Sequence, residues 1–441
     1  MSSQYSPLSI SITKKLDKTI KKQEGIYFTP PKTIENNIKL LSPYIDNIKN
    51  ILEPSCGSCE YVLKLNKYPD LTFTCIENNK EIYEQIKILG NDSIKILNQD
   101  FLKYEDVKKY DLVIGNPPYF VLQKKEVPSI YYDYFDGRPN MFIIFIIKSL
   151  KHLKEGGILS FVLPKSFINS TYYNKARKYI YSNYKILNII NNGEDNYIDT
   201  KQETIIFIIQ NTPSHNDSIN DKYSLNIQDN LIFGTEEDII SIKELLNNST
   251  SLKNLGFNIK VGNVVWNQVK ELLTNDEKNT RLIYSTDIEN NKLNMKKYKN
   301  NEKKNFINKK GVTEPVLVIN RGYGIGKYNF NYAIIDYKKE YLVENHLLVI
   351  SSNEKYPDDI LIDKYNEIMK SFDNIKTRKF IDIYFGNNAI NTYEILNILP
   401  IYDIWSAGKA TPLPFFHLIS IFTFFPDFDW ALYRDRFGSF T

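Results

Sequence analysis

Apolar residues in the first half of the chain follow two alternating rhythms. Short runs dense in Ile, Leu and Val are separated by stretches in which apolar residues return every three or four positions. Asn50 to Glu53, Leu71 to Ile76, Ile94 to Leu97 and Asp111 to Gly115 read as buried strands, the last stopped by Pro117 and Pro118. Gly157 to Leu163, Lys185 to Ile190 and Thr204 to Ile209 continue the series. Between them, Thr33 to Ile48 carries Ile34, Ile38, Leu41 and Ile45 at helical spacing, with Thr33 as its N-cap. Lys80 to Leu89, Asn140 to Leu153 and Thr171 to Tyr181 also read as helices. Strands separated by helices predict an α/β fold with a largely parallel sheet covered on both faces. Ligands bind such sheets at the carboxyl ends of the strands.

After Thr204 to Ile209 the rhythm is lost. Asn211 to Asp221 (NTPSHNDSIND) reads as a linker. Beyond it, strands such as Pro315 to Asn320 and Tyr341 to Ile350 mix with helices such as Asn267 to Leu273 and Asp359 to Phe372. From Trp405 to Thr441 the chain is rich in Phe, has no Asn and contains one lysine, Lys409. The expected division is a first domain over 1–210, a linker over 211–224, a mixed α/β domain over 225–404 and a tail over 405–441.

Composition narrows the picture only slightly. The chain has 441 residues, 42% hydrophobic and 24% charged, which suits two or three globular domains. A net charge of +4 permits a nucleic-acid partner without demanding one, so any basic surface must be local. The N-terminus carries Lys14, Lys15, Lys18, Lys21 and Lys22 and lacks the apolar core of a leader peptide. The apolar run Met141 to Ile147 is too short to span a bilayer, so no membrane partner is expected. The three cysteines, Cys56, Cys59 and Cys75, are too few for a disulfide framework. They point to a reducing compartment and an intracellular, cytoplasmic protein. Cys56 and Cys59 form a C-x-x-C pair that lacks the second pair or nearby His of a metal site, and no metal is expected.

The candidate chemistry falls at successive strand ends. Ile51-Leu52-Glu53-Pro54-Ser55-Cys56-Gly57-Ser58-Cys59 ends a strand in an acid and opens a helix through a small-residue loop, where backbone approaches a ligand closely. Glu77 ends the second strand, where a carboxylate suits two ribose hydroxyls. Asp100 and Phe101 end the third; a carboxylate accepts from an adenine amino group while a ring stacks on the base. Asn116-Pro117-Pro118-Tyr119 ends the fourth. This tetrapeptide suits methyl transfer to an amino nitrogen whose lone pair is delocalised into a ring. The Asn116 side-chain carbonyl and the Pro117 backbone carbonyl can grip both N–H hydrogens and turn the lone pair toward a methyl group. Proline adds stiffness and no competing donor, and Tyr119 can stack on the base.

In these residues the chain resembles the gamma class of N6-adenine DNA methyltransferases, the TaqI-like group of type II restriction-modification style. The likeness covers roughly residues 20 to 210. It implies a Rossmann-like class I S-adenosylmethionine-dependent methyltransferase domain followed by a target-recognition domain. By resemblance, Gly25-Ile26-Tyr27-Phe28-Thr29-Pro30 contacts the methionine end of S-adenosylmethionine, with Tyr27, Thr29 and Pro30 in that role. Glu53, Ser55 and Gly57 belong to the glycine loop, Glu77 to the ribose, Asp100 and Phe101 to the adenine, and Asn116 to Tyr119 to catalysis. Asn140-Met141-Phe142 and Glu155 to Pro164 resemble the later motifs. A methionine motif first and a recognition region last is the order of the gamma class. The family's second glycine is replaced by Cys59, which weakens the expectation of cofactor affinity. For the aromatic on the far face of the flipped base the candidate is Phe207, whose apolar strand suits a core role equally well.

The second half offers a basic run from Lys292 to Lys310, including Lys296, Lys297, Lys299, Lys303 and Lys304, interleaved with Tyr298 and Phe306. Phosphate contacts or a solvated loop both suit that run. Arg321 and Lys327 flank a glycine-rich loop, and Asn387 and Asn388 follow Phe385-Gly386; all are candidates for base or phosphate contacts. The resemblance implies double-stranded DNA as partner, a cognate restriction endonuclease, and a monomer. A protein glutamine N5-methyltransferase, an RNA adenine N6-methyltransferase and a catalytically silent DNA-binding specificity subunit stay open beside it. Host defence, viral genome marking and regulation are all open as roles.

Overall fold

The computed structural model describes residues 5–193, 197–198, 200, 202–212, 217–298, 302–321, 330–385 and 390–403. Lys299, Lys327, Asn387, Asn388 and the tail over 405–441 lie outside the described residues. The described residues form two compact units. The first reaches from the N-terminal helix to Lys243 and takes in 381–385 and 390; the second is built from 244–321, 330–380 and 391–403.

The first unit runs through α1 (Pro7–Lys15), α2 (Lys18–Glu24), α3 (Pro31–Leu41), β1 (Asn50–Glu53), α4 (Glu60–Leu65), β2 (Thr72–Glu77), α5 (Lys80–Ile86), β3 (Ile94–Asn98) and β4 (Tyr110–Gly115). It continues with α6 (Met141–His152), β5 (Leu153–Pro164), α7 (Asn174–Asn183), β6 (Lys185–Asn191), β7 (Thr204–Gln210) and a hairpin of β8 (Ser224–Ile227) and β9 (Asn230–Phe233). Seven strands make one sheet in the order β3-β2-β1-β4-β5-β7-β6. β1 to β5 pair in parallel, and β7 runs antiparallel between β5 and β6. This is the expected Rossmann-like class I methyltransferase architecture.

Side chains alternate across the sheet, so neighbouring residues feed different cores. Leu52, Val113, Ile205, Phe207 and Ile209 join the core supplied by α6 and α7. Ile51, Leu112, Ile114, Ile206 and Ile208 join the core supplied by α1, α3, α4 and α5. Burial on both faces explains why these strands read as unbroken apolar runs. The Met141 to Ile147 run is a helix buried nearly all round, with Asn140 as its N-cap. Among the described residues no helix is long and apolar enough to cross a membrane.

Three local features differ from the sequence reading. The lysine-rich N-terminus forms α1 and α2, anchored through Ser9 and Ile12, both fully buried. β5 begins at Leu153, directly after α6, rather than at Gly157. The β8–β9 hairpin belongs to the first unit, which therefore extends past residue 210. Fully buried Arg177 holds it, donating to the Leu231 carbonyl at 2.5 Å and to Asn230 Oδ1 at 2.9 Å.

The second unit is mixed α/β. One antiparallel sheet joins Phe257–Val261, Leu347–Ser352, Val316–Asn320 and Tyr332–Ile335. A second joins Leu273–Thr274, Phe306–Ile307, Thr280–Ile283 and Tyr341–Val343. The stretch expected as one strand from Tyr341 to Ile350 is two strands, one in each sheet, turning at Glu344. The helix Asp358–Asp373 buries Tyr365, Ile368 and Phe372, with Phe372 edge-on to Tyr332 at 5.1 Å.

Candidate active site

The ends of β1, β2, β3 and β4 open onto one cleft of about 1050 Å³, measured to its open mouth. The order reverses between β1 and β4, the point at which doubly wound sheets bind ligands. Of the residues singled out in the sequence, Tyr27, Thr29, Glu53, Ser55, Gly57, Glu77, Asp100, Phe101, Asn116 and Pro118 line it. Pro30 lies behind the wall as the N-cap of α3, and Pro117 is buried in the turn.

The glycine loop follows β1. Gly57 sits at φ +50°, and a Cβ there would come within 3.1 Å of the Phe28 ring. Its N–H donates to Glu77 Oε2 at 3.0 Å, while Asn79 N–H donates to Oε1 at 2.7 Å. Burial outweighs these two donors and pushes the Glu77 carboxyl up to about 7. Glu53 is deeper. It is 3% exposed, and its Oε2 has no hydrogen-bond partner among the described residues. Burial first, then the proximity of Cys59, Glu60 and Glu77, raises its pKa well above the carboxylate range. Two buried carboxyls in a cleft, one of them with an oxygen that lacks a donor, suit a ligand bearing cationic and hydroxyl groups. S-adenosylmethionine has both, so the residues fit the cofactor expected there. Asp100 spends one oxygen on the Leu102 N–H at 2.9 Å, and Phe101 packs on Phe145 at 5.0 Å.

Asn116 is held in one orientation. Its Nδ2 donates to the Tyr27 carbonyl at 3.0 Å. A backbone carbonyl only accepts, so this bond fixes the amide and presents Oδ1 as an acceptor. The Tyr119 hydroxyl stands 2.5 Å from Oδ1 and 2.8 Å from the Val162 carbonyl, with one proton to share between them. Burial raises the Tyr119 pKa well above its ordinary value, which keeps that proton in place. Ser55 Oγ donates to the Asn116 carbonyl at 3.2 Å, tying the two loops together. The segment that carries Tyr27 is pressed against the tetrapeptide. Gly25 has φ +65°, and a Cβ there would lie 3.0 Å from the Tyr119 nitrogen.

Phe207 does not reach the cleft. It is fully buried in β7, stacked on Phe233 at 5.8 Å and edge-on to Phe167 at 5.3 Å. Residues the sequence did not single out complete the wall. Phe28, Glu60, Tyr61, Asn79 and Phe145 line it. Asn79 had a legible signal, as the N-cap of α5 accepting from the Ile82 N–H. Tyr61 had none; its hydroxyl accepts from Asn37 Nδ2, and the Asn37 Oδ1 accepts from the Ser160 hydroxyl.

In the second unit the basic run is built into the fold. Asp287 is fully buried and accepts from the Lys296 N–H at 2.9 Å and the Tyr298 hydroxyl at 3.0 Å. Arg281 stands beside it at 3.6 Å and donates to the Lys296 carbonyl at 3.0 Å. Tyr284 donates to the Lys304 carbonyl at 2.8 Å. Lys303 sits among three rings, 5.0 Å from Tyr284, 5.4 Å from Trp266 and 5.8 Å from Tyr298. Lys296 pairs with Glu289 at 3.0 Å, whereas Lys292, Lys297, Lys309 and Lys310 are exposed. Arg321 ends a strand with its N–H on the His346 carbonyl. Among the described residues no group of three or more His, Cys, Asp or Glu is placed to hold a metal ion.

Known proteins align with this chain. Residues 13–198 match the Eco57I restriction-modification methylase family. Modification methylase CviBIII of Paramecium bursaria Chlorella virus NC1A is 27% identical over 411 residues, covering 90% of this chain and 99% of that protein. Type II methyltransferase M.CvrRI of Paramecium bursaria Chlorella virus XZ-6E is 27% identical over 416 residues, covering 89% and 98%. Type II methyltransferase M.HincII of Haemophilus influenzae is 31% identical over 176 residues, covering 38% of this chain and 33% of that protein.

Proposed function

We propose, starting from a chain that carries the sequence of a restriction-modification methylase, that it methylates the N6 amino group of an adenine flipped out of double-stranded DNA. The observation that carries this reading is the fixed amide of Asn116, whose nitrogen is committed to Tyr27 and whose oxygen has a second lone pair to offer beside the one facing the Tyr119 hydroxyl. S-adenosylmethionine supplies the electrophilic methyl group when bound. Glu77 receives the ribose hydroxyls, Asp100 the adenine amino group, and Glu53 the cationic end of the cofactor. Phe101 backs the adenine.

Asn116 Oδ1 and the Pro117 carbonyl accept the two hydrogens of the target amino group. Held that way, the nitrogen loses conjugation with its ring and its lone pair turns toward the methyl group. The nitrogen would thus be aimed at the methyl group that bound S-adenosylmethionine would supply, and after transfer it would shed one proton to water. Fixed acceptors aimed at the developing charge supply most of the acceleration. Tyr119 covers one face of the base. For the other face the candidate is Tyr197, which is buried and shares a small pocket with Tyr27 and Phe28.

Extrusion of the base requires a grip on the duplex. The second unit supplies it through its exposed lysines, Lys297, Lys309 and Lys310, with Lys296, Lys304 and Arg321 as further candidates. Lys303 is a positioning residue here, because its ammonium is already enclosed by rings. The protein acts as a monomer and is paired with a restriction endonuclease of the same sequence specificity.

The test is transfer from methyl-labelled S-adenosylmethionine to unmethylated DNA, RNA and protein extract in parallel, followed by digestion. Label in N6-methyldeoxyadenosine supports the proposal. Label confined to RNA or to glutamine replaces it.

A further inference from the structure

The C-x-x-C of the cofactor loop is unexplained by methyl transfer. Cys59 occupies the position at which the resembled family carries glycine, and its backbone shows why glycine suits it. Its φ is +59°, in the left-handed region. A side chain there is strained where glycine would not be. Cys59, Cys56 and Cys75 are all free thiols and all buried, at 0%, 4% and 0% exposure. The Cys59 thiol has those of Cys56 and Cys75 as neighbours, and both lower its pKa. Cys59 N–H donates to the Cys56 carbonyl at 2.7 Å, closing a tight turn. Residues one and four of such a turn have Cα atoms within about 7 Å. A disulfide requires about 4.4–6.8 Å. Cys56 also lines the cofactor cleft, giving small molecules a way to the pair.

We propose that Cys56 and Cys59 are an oxidation site for hydroperoxides, at which a reversible disulfide closes the cofactor loop and lowers cofactor affinity. The proposal rests on the cofactor reading of this cleft. Cys56 lines the cleft and meets the peroxide. Its thiol loses its proton as the sulfur attacks the peroxide oxygen and the O–O bond breaks, leaving a sulfenic acid and one water. The Cys59 thiol, whose pKa its two neighbouring thiols lower well below the usual range, then attacks the sulfenic sulfur, forming the S–S bond and releasing a second water. Two thiols lose two electrons and two protons, and one peroxide becomes two waters. A dithiol reductant reverses the step. The new bond pulls the turn tighter around Gly57. The Gly57 N–H orients Glu77, so the carboxylate assigned to the ribose moves with the loop.

The full chain is treated with hydrogen peroxide, with and without saturating S-adenosylmethionine. Intact mass and peptide mapping follow the thiols, and equilibrium dialysis follows labelled S-adenosylmethionine. The expected result is the loss of two hydrogen masses, a Cys56–Cys59 cross-link, and a rise of about tenfold or more in cofactor Kd. Dithiothreitol restores binding and bound cofactor slows the oxidation. Cys59→Gly, which relieves the backbone at that position, loses the response. Oxygen addition without a cross-link overturns the proposal, as does a cross-linked protein that binds cofactor unchanged. Untreated protein that binds no S-adenosylmethionine sinks the cofactor reading itself, and with it the effect on affinity, while the mapped cross-link still decides the chemistry.

Discussion

The cofactor cleft and the basic run of the second unit solve opposite problems. The cleft sets acidic groups in a low-dielectric wall and leaves them short of donors, at Glu53 above all. The basic run spends its best-placed groups internally. Lys303 is enclosed by three rings, Lys296 is paired with Glu289, and Asp287 is saturated. The unsatisfied groups mark where a small ligand is expected. The satisfied ones hold a surface in shape, and the exposed lysines at its edge do the contacting.

The largest effect expected is at the end of β4. Asn116→Ala lowers kcat by about 10²–10³-fold, as loss of one acceptor aimed at developing charge does, with DNA affinity within about twofold. Rapid-quench kinetics and a gel-shift titration separate the two. Equal losses in both readouts would return Asn116 to a structural role.

Glu77 gives a test with a sign. Its carboxyl titrates near 7 folded and near 4.5 unfolded. Below both values the two states hold the proton equally. Between them the folded state alone retains it, so rising pH lowers the stability of the ligand-free protein across that window. Cofactor affinity rises over the same window, because ribose hydroxyls donate to the carboxylate form. Glu77→Gln removes its share of both slopes in thermal melts and dialysis. Parallel slopes of the same sign would contradict the assignment.

Lysine substitutions sharpen the contrast within the second unit. Lys297→Ala, Lys309→Ala and Lys310→Ala should each reduce the slope of log K against log salt by about 0.9. Lys303→Met leaves that slope unchanged and instead lowers Tm by about 2–4 °C, the loss of a cation held by rings. A slope that falls for Lys303 and not for the others would invert the partition. The smallest effect belongs to Phe207→Leu. It costs about 1 kcal/mol of stability with kcat unchanged, since the ring packs between Phe233 and Phe167.

The cleft was legible because its parts are local. Each acid sits one to three residues past an apolar run, and the strand order brings the ends of β1 to β4 together. Even strand limits agree closely, with β1 at Asn50–Glu53 as read. The role of Phe207 was illegible because alternation assigns a side chain to a face of the sheet without giving its distance from the cleft. The surroundings of Lys303 were illegible for a related reason. Trp266 and Tyr284, which enclose it with Tyr298, lie far from it in sequence, and no periodicity records that contact. α1 escaped notice because its anchor is half polar. Ser6 and Ser9 bond to Glu60, and Ile12 is its one fully buried apolar residue, too little for a stripe to read.

The most direct measurement is nucleoside analysis of DNA from cells expressing the full chain or its Asn116→Ala variant. The account predicts N6-methyldeoxyadenosine with the unaltered chain and none above background with the variant. Methylcytosine in its place, or N6-methyldeoxyadenosine at equal levels in both, would contradict it.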